Sequence, residues 1–211
     1  MNALTSSRVR STSWAPRLSD VGGPSRAVLD TDVIFSRVLY ELFGRIGSEL
    51  RLLNIIWSDE LLGEAERVLI ERKPLPPEAA RRWVGYLREA FPDGRVDLST
   101  LSPSVPLAEM TSDTDDEHVC ALAVAGNADI LIAADQGYVE EALGRHGIKL
   151  AVPDEVLSHW FDEEPDAVAN IVVAQGKAWG GGRPVADLLE AIERAQAPQF
   201  VERMRRYLAA A

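Results

Sequence analysis

Carboxylates at the ends of apolar segments are the residues of this chain best suited to chemistry. Asp30 follows the apolar run AVL, Asp135 follows ILIAA, and Asp116 precedes the apolar run HVCALAVA. A fourth carboxylate, Glu64 or Glu66, lies in the segment LLGEAERVL. Oxygen ligands without a His or Cys cluster favour Mg²⁺ or Mn²⁺, which activate water and neutralise charge on phosphate oxygens. The residue types therefore indicate a divalent-cation site suited to phosphoryl chemistry.

Helical phase separates Asp116 from its acidic neighbours. On a wheel of about 100° per residue, Val119 and Cys120 fall within roughly 60° of Asp116, whereas Asp115 lies about 100° away. Asp116 is therefore expected on the buried stripe, where a carboxylate must be paired, hydrogen-bonded or bound to a cation. Asp113 and Asp115 are better explained as first-turn residues that cap free amides, and at most they add negative charge around the site.

Strand and helix patterns alternate between residues 26 and 152. The candidate strands are RAVLD, LRLLNIIWS, VDLSTL as a short edge strand, ADILIAAD and IKLAV. Helical segments between them predict parallel crossovers and a three-layer α/β/α sandwich with a mostly parallel sheet of about five strands. Residues 1–25 lack apolar periodicity and are expected to be a disordered tail. Residues 153–211 show only helical patterns, which predict a helical extension that packs on the sheet domain or on another subunit.

The predicted sheet supplies a reason for the carboxylates to meet. Ligands of such sheets bind beyond the carboxyl ends of the strands, where Asp30 and Asp135 are expected. Asp32 is expected in the first turn of the helix that follows Asp30. Glu64 and Glu66 both lie about 100° from the centre of their apolar helix face, so periodicity leaves the choice between them open.

Composition narrows the class of protein. The chain has 211 residues with 46% hydrophobic and 26% charged residues, enough for one sizeable α/β domain plus an appendage. The single Cys120 excludes an intramolecular disulfide framework, and no apolar run is long enough for a transmembrane helix. A cytoplasmic setting without membrane association is expected. The net charge of −11 argues against a broad basic surface for nucleic acid, although cations in an acidic site can reverse the local field.

Other motifs are incomplete. Asp113, Asp115 and Glu117 have the spacing of a calcium-binding EF-hand loop, but the loop glycine is missing. The sequence contains no P-loop, GxSxG or GxGxxG motif. No chemistry is assigned to the remaining candidates, which are His118, His146 and His159, expected at the surface, and Cys120, expected in the core.

The acidic segments resemble a known family. VLDTDVIFS, LLGEAERVL and DTDDEHVCALAVAGNADILIAAD are similar to the acidic motifs of PIN-domain ribonucleases, particularly the toxins of VapBC toxin–antitoxin pairs. The similarity covers about residues 27–156, and the helical remainder resembles the extension of longer members. The resemblance implies Asp30, Glu64, Asp116 and Asp135 as the catalytic quartet, with Asp30, Asp116 and Asp135 as metal ligands. It thereby selects Glu64 over Glu66.

The resemblance also implies an activity and partners. It predicts an endoribonuclease that depends on Mg²⁺ or Mn²⁺, cuts RNA, forms a homodimer and binds a cognate antitoxin protein. Two positions depart from the family pattern: Asp32 stands where many members have Asn, and Ala133 stands where many have Thr or Ser. Two alternatives remain: a non-catalytic module whose acidic crevice binds an Arg-bearing protein, and a PIN nuclease of RNA maturation that is not a toxin.

Overall fold

A four-stranded parallel sheet organises the protein. The computed structural model describes residues 24–73, 75–134, 137–178 and 184–210. The strands are β1 (Ser25–Leu29), β2 (Leu53–Ile56), β3 (Ile130–Ile132) and β4 (Lys149–Ala151), in the spatial order β2-β1-β3-β4. The α-helices within these ranges are α1 (Thr31–Phe35), α2 (Arg37–Leu50), α3 (Asp59–Arg72), α4 (Pro77–Ala90), α5 (Glu117–Ala125), α6 (Glu140–Gly144), α7 (Pro153–Glu163), α8 (Pro165–Ala178), α9 (Val185–Arg194) and α10 (Pro198–Ala210).

The central strand β1 is covered on both faces. Ala27, Val28 and Leu29 are each 0% exposed, although successive side chains of a strand point to opposite faces. The connections β1 to β2 and β2 to β3 cross the sheet in opposite directions. Right-handed crossovers therefore place their helices on opposite faces, with α2 against β2 and α5 against β1. The α/β/α class is confirmed.

The sheet of the described residues has four strands rather than about five. The segment VDLSTL instead contains a 3₁₀ turn at Leu98–Thr100, because the side chain of Asp97 accepts a hydrogen bond from the Ser99 amide at 3.0 Å. An isolated bridge between Trp57 and Arg95 and a hydrogen bond from the Val96 amide to the Trp57 carbonyl at 2.9 Å place this region beside the end of β2. Strand β1 begins at Ser25, inside the predicted tail, and the remainder of that tail, residues 1–23, lies outside the described residues.

The C-terminal helices share the hydrophobic core of the sheet. Trp160 of α7 packs edge-on against Phe43 of α2, with ring centroids 5.9 Å apart. The side-chain amide of Gln175 in α8 donates to the carbonyl of Val38 at 3.1 Å. The described part of residues 153–211 therefore packs on the sheet domain. None of the helices within the described ranges combines the length and apolarity needed to cross a bilayer.

Two side chains secure the end of α1, the short helix that follows Asp30. The indole of Trp83 donates to the Ile34 carbonyl at 3.0 Å, and the ammonium of Lys73 donates to the Phe35 carbonyl at 2.7 Å. These carbonyls lie in the last turn, where an α-helix offers them no partner of its own. Helix α4 and the end of α3 thus hold the helix whose N-terminus carries Asp30.

The backbone of residue 94 lies so close to the backbone of β2 that only glycine fits there. A Cβ at Gly94 would lie 2.2 Å from the Ile55 carbonyl oxygen, and the Trp57 amide donates to the Gly94 carbonyl at 2.9 Å. We expect Gly94→Ala to lower the free energy of unfolding by about 1–3 kcal/mol, since the backbone must shift. Urea denaturation measures the change.

The matched control is Gly85→Ala in the interior of α4. No heavy atom lies within 4 Å of a Cβ built at Gly85, so alanine is expected to stabilise the helix by about 0.5–1 kcal/mol. A Gly94→Ala protein as stable as the parent would contradict the role assigned to this approach.

Candidate active site

Asp30 lies at the carboxyl end of β1 and is the N-cap of α1. Its amide donates to the Ile132 carbonyl at 3.0 Å, which joins it to the end of β3. The residue is 4% exposed. Its Oδ1 atom accepts hydrogen bonds from the Thr31 amide at 2.7 Å and from the Tyr138 hydroxyl at 2.9 Å. Within the described residues, Oδ2 accepts no hydrogen bond, so this oxygen is the one left for a cation.

Tyr138 reaches Asp30 because two loops pair beside the sheet. The Ser112 amide donates to the Gly137 carbonyl at 2.9 Å, and the Val139 amide donates to the Met110 carbonyl at 2.8 Å. These bonds hold residues 110–112, before α5, against residues 137–139, after β3. Sequence reasoning missed Tyr138. The available signal was a tyrosine close to Asp135, but no periodicity tells which way a loop side chain points.

Burial and like charges control the electrostatics of the site. Burial raises the pKa of Asp30 to about 7, and the nearby carboxylates of Asp116 and Asp32 add to the rise, while the Tyr138 and Thr31 hydrogen bonds oppose it. Burial and the negative charge of Asp30 raise the pKa of Tyr138 far above its ordinary value. The phenol therefore stays protonated and remains a donor to Asp30.

Asp116 lies directly before α5, the helix that packs against β1. It ends the 3₁₀ turn Thr114–Asp116, is half-buried and directly precedes α5. Burial, followed by the charges of Asp116 and Asp30, raises the pKa of Cys120 to about 12. Asp116 and Asp30 therefore both act on this end of α5. The thiol of Cys120 is protonated at neutral pH and belongs to the core, as predicted.

The outlying acidic residues are exposed. Asp113 accepts a hydrogen bond from the Asp115 amide at 2.9 Å, which confirms the predicted capping role of Asp113. Asp115 is exposed, and within the described residues its side chain accepts no capping hydrogen bond. Asp32 lies in the first turn of α1, as predicted, and is also exposed. Asp32 is close enough to Asp30 to raise its pKa, so it adds negative charge to the site.

The contacts of Glu64 and Glu66 point to different neighbours. Glu64 is half-buried, with one carboxylate oxygen 3.2 Å from Arg67 and the other 3.3 Å from the Nε2 atom of His118, near the start of α5. Glu66 instead lies 3.9 Å from Arg81 of α4. Glu64 thus faces the acidic end of α5, whereas Glu66 faces away from it.

Of the three histidines expected at the surface, His118 and His159 are half-buried rather than fully exposed. The His118 side chain is 19% exposed, and its Nδ1 atom lies 2.7 Å from the Asp115 carbonyl, which can only accept, so Nδ1 carries a proton. Its Nε2 atom approaches Glu64 without hydrogen-bond geometry, which makes this an electrostatic contact. His159 is half-buried and His146 is exposed. Helical phase alone did not show that α3 covers His118.

The donor set fits a hard divalent cation in its chemistry. Asp30 and Asp116 offer only carboxylate oxygens. Burial and the neighbouring negative charges raise the pKa of Asp30, and a bound cation would offset both effects by stabilising the ionised carboxylate. Among the described residues, no three His, Cys, Asp or Glu side chains form a metal-binding group. Asp135, the predicted third metal ligand, lies outside the described residues. Ala133, where the resemblance expected a hydroxyl, is 1% exposed.

Removing the hydroxyl of Tyr138 tests its influence on Asp30. Because the Tyr138 hydrogen bond lowers the pKa of Asp30, we expect Tyr138→Phe to raise that pKa by about one further unit in metal-free protein. The carboxyl carbon resonance of Asp30, followed by NMR against pH, measures it directly.

Tyr86→Phe is the matched control, since Tyr86 is 50% exposed on α4. It is expected to leave the Asp30 titration unchanged. An Asp30 titration that is the same in wild type and Tyr138→Phe would show that the 2.9 Å contact does not influence the carboxylate.

Comparison with known proteins places the site within a family. No curated protein and no solved structure matches the chain. A family model for the PIN domain matches residues 26–137, which is more than half of the chain. The matched span contains Asp30, Glu64, Asp116 and Asp135, and it runs from β1 through the loop that carries Gly137. This chain belongs to the PIN-domain family, whose fold and acidic site indicate a nuclease.

Proposed function

We propose that this protein is a divalent-metal-dependent endoribonuclease that hydrolyses RNA phosphodiesters and acts as the toxin of a toxin–antitoxin pair. The observation that carries the proposal is the coupling of Asp30 and Asp116 at the carboxyl edge of a parallel sheet. Burial, with a smaller contribution from the Asp116 charge, raises the pKa of Asp30 to about 7, and a bound cation would stabilise the ionised form of this carboxylate.

Each carboxylate has an assigned role. Asp30, Asp116 and Asp135 would hold Mg²⁺ or Mn²⁺. The bound cation lowers the pKa of a water and neutralises charge on the phosphate oxygens. Tyr138 and Thr31 occupy Oδ1 of Asp30 and so fix its orientation. Glu64 orients the attacking water, which breaks the bond between phosphorus and the 3′ oxygen and leaves 5′-phosphate and 3′-hydroxyl ends.

The geometry of the reaction supports a single-stranded or loop RNA as the substrate. A net charge of −11 provides little general attraction for any nucleic-acid backbone, so the shape of the backbone must contribute to selection. In-line attack needs a splayed backbone, which loops and single strands supply. The resemblance over residues 27–156 supports the toxin role and a homodimer that binds an antitoxin protein, and the single Cys120 supports a cytoplasmic site of action.

Calorimetry with Mn²⁺ tests the metal site. Titration of the metal-free protein is expected to give a saturable heat that is lost in Asp30→Asn, because a neutral amide replaces one anionic ligand. The surface variant Asp93→Asn, which changes an exposed carboxylate in the same way, should keep that heat. A heat that persists in Asp30→Asn would overturn the site, and its absence in wild type would favour a non-catalytic binding module.

Growth arrest tests the toxin role. Expression of wild-type protein is expected to stop growth, and co-expression of the product of an adjacent small gene should relieve the arrest. Metal-dependent RNA cleavage without growth arrest would favour a PIN nuclease of RNA maturation.

A further inference from the structure

We propose that the groove built by β4, α7 and α10 is a nucleobase-binding subsite that selects the base beside the cleaved bond. The inference rests on the proposed ribonuclease function and adds a specificity element to it. The groove has a volume of about 660 Å³. Its lining includes Tyr138, whose hydroxyl contacts Asp30, together with Ala133, His159, Gln199 and Arg203.

Tyr138 connects the groove to the acidic site. Its hydroxyl donates to Asp30, while the same residue lines the groove. Ala133, which directly follows β3 and is joined through its amide to the Ala151 carbonyl at 3.1 Å, lines it as well. A single side chain therefore separates the groove from a proposed metal ligand. A nucleotide adjacent to the reacting phosphate would meet this groove.

The charges around the groove favour an uncharged ligand over a phosphate. Its lining contains three basic and three acidic side chains: Lys149, His159, Arg203, Glu140, Glu155 and Asp162. Arg203 is ion-paired with Asp162, and the charges of Glu155 and Glu140 act on Lys149. No net positive potential remains to attract a phosphate backbone. Neutral groups with both donors and acceptors on flat rings are nucleobases, which proteins recognise through their edges and by stacking.

Gln199 is the residue best placed to recognise a base edge. Its backbone amide donates to Asp154 at 3.2 Å, and the next amide, of Phe200, donates to the other oxygen of Asp154 at 2.9 Å. Asp154 is 6% exposed and lies in the first turn of α7, so it fixes the start of α10 against α7. The Gln199 side chain carries both a donor and an acceptor and makes no hydrogen bond within the described residues.

The elements that build the groove lie mostly beyond the part of the chain that matches the PIN-domain family. Strand β4 and helices α7 and α10 follow residue 137, where the match to the PIN domain ends. The acidic residues and Ala133 belong to the matched span, whereas most of the groove lining comes from β4, α7 and α10, which follow it. The groove would thus give base selectivity to a site whose chemistry is common to the family.

Protein NMR with the four ribonucleosides tests the proposal in metal-free protein. Nucleosides are uncharged, so the acidic site does not repel them. We expect one nucleoside to shift the side-chain amide resonances of Gln199 and to bind about tenfold more tightly than the weakest of the four. Gln199→Ala should weaken that nucleoside about tenfold, the equivalent of one hydrogen bond of about 1.4 kcal/mol. Asn170→Ala removes an exposed amide on α8, outside the groove, and should change nothing.

Cleavage of a randomised RNA oligonucleotide separates this inference from the proposed function. We expect a base preference at one position next to the cut, which Gln199→Ala abolishes and Asn170→Ala retains. Cleavage without such a preference, or nucleosides that leave Gln199 undisturbed, would overturn the subsite while the nuclease stands. Base-dependent nucleoside binding without any metal-dependent cleavage would contradict the proposed nuclease activity instead. Binding of an arginine-containing peptide in place of the nucleosides would identify a protein-docking groove and overturn the proposal.

Discussion

Asp116→Asn is expected to lower the rate of metal-dependent RNA cleavage about a thousandfold while leaving the fold intact. Asp116 is half-buried beside Asp30 and is assigned to the cation, so the amide removes a charged ligand without changing the shape of the side chain. The measurement is the initial cleavage rate of a structured RNA with Mg²⁺ or Mn²⁺, with EDTA as the metal-free reference.

Circular dichroism and a thermal melt establish that Asp116→Asn is folded. The variant should be at least as stable as wild type without metal, because it removes one of two like charges that repel each other. Asp93→Asn, at an exposed position of the 3₁₀ turn Pro92–Gly94, is expected to cleave at the wild-type rate. Equal RNA cleavage profiles for wild type and Asp116→Asn would contradict the proposal that this site catalyses cleavage.

Asp30→Asn is expected to increase the stability of the metal-free protein at pH 8 by up to about 4 kcal/mol. The pKa of Asp30 is raised from 3.8 to about 7 in the folded chain, and each unit of such a difference corresponds to about 1.4 kcal/mol. Asparagine keeps the shape and the N-cap preference of aspartate but carries no charge.

The sign of the pH dependence follows from the raised pKa. Below about pH 4 the Asp30 carboxyl is protonated in both the folded and the unfolded chain, so it does not lower the free energy of unfolding. As the pH rises toward 7, the unfolded chain loses this proton while the folded chain retains it, and wild-type stability falls. Above about pH 7 Asp30 is ionised in both the folded and the unfolded chain, and the free energy of unfolding is lowered by the full amount.

Urea denaturation in EDTA at pH 4 and pH 8 measures the effect. The difference between Asp30→Asn and wild type should be small at pH 4 and largest at pH 8, while other ionisable groups affect both proteins alike. Adding Mn²⁺ at pH 8 should stabilise wild type but not the variant, because a ligand that binds only the folded chain stabilises it. A difference independent of pH would contradict the assignment of the raised pKa to Asp30.

Local pattern was sufficient for the elements that carry the acidic residues. The apolar run before Asp30 and the run ILI within the predicted strand ADILIAAD form strands because they are short and buried on both faces. The segment VDLSTL was wrongly predicted to be an edge strand because its apolar and polar residues alternate. In the structure, the side chain of Asp97 caps a 3₁₀ turn there. A local side-chain hydrogen bond competes with strand pairing and leaves little trace in hydrophobic periodicity.

The α/β class, the strand end that carries Asp30 and the capping role of Asp113 could be predicted from local sequence, because they depend on residues close together in the chain. Only the tertiary structure decided that Tyr138 contacts Asp30, 108 positions away, and that Glu64 and Glu66 face different neighbours. The physical reason is that such contacts depend on how whole elements pack. Helical phase gives the direction of a side chain around its own axis, but not which element lies there.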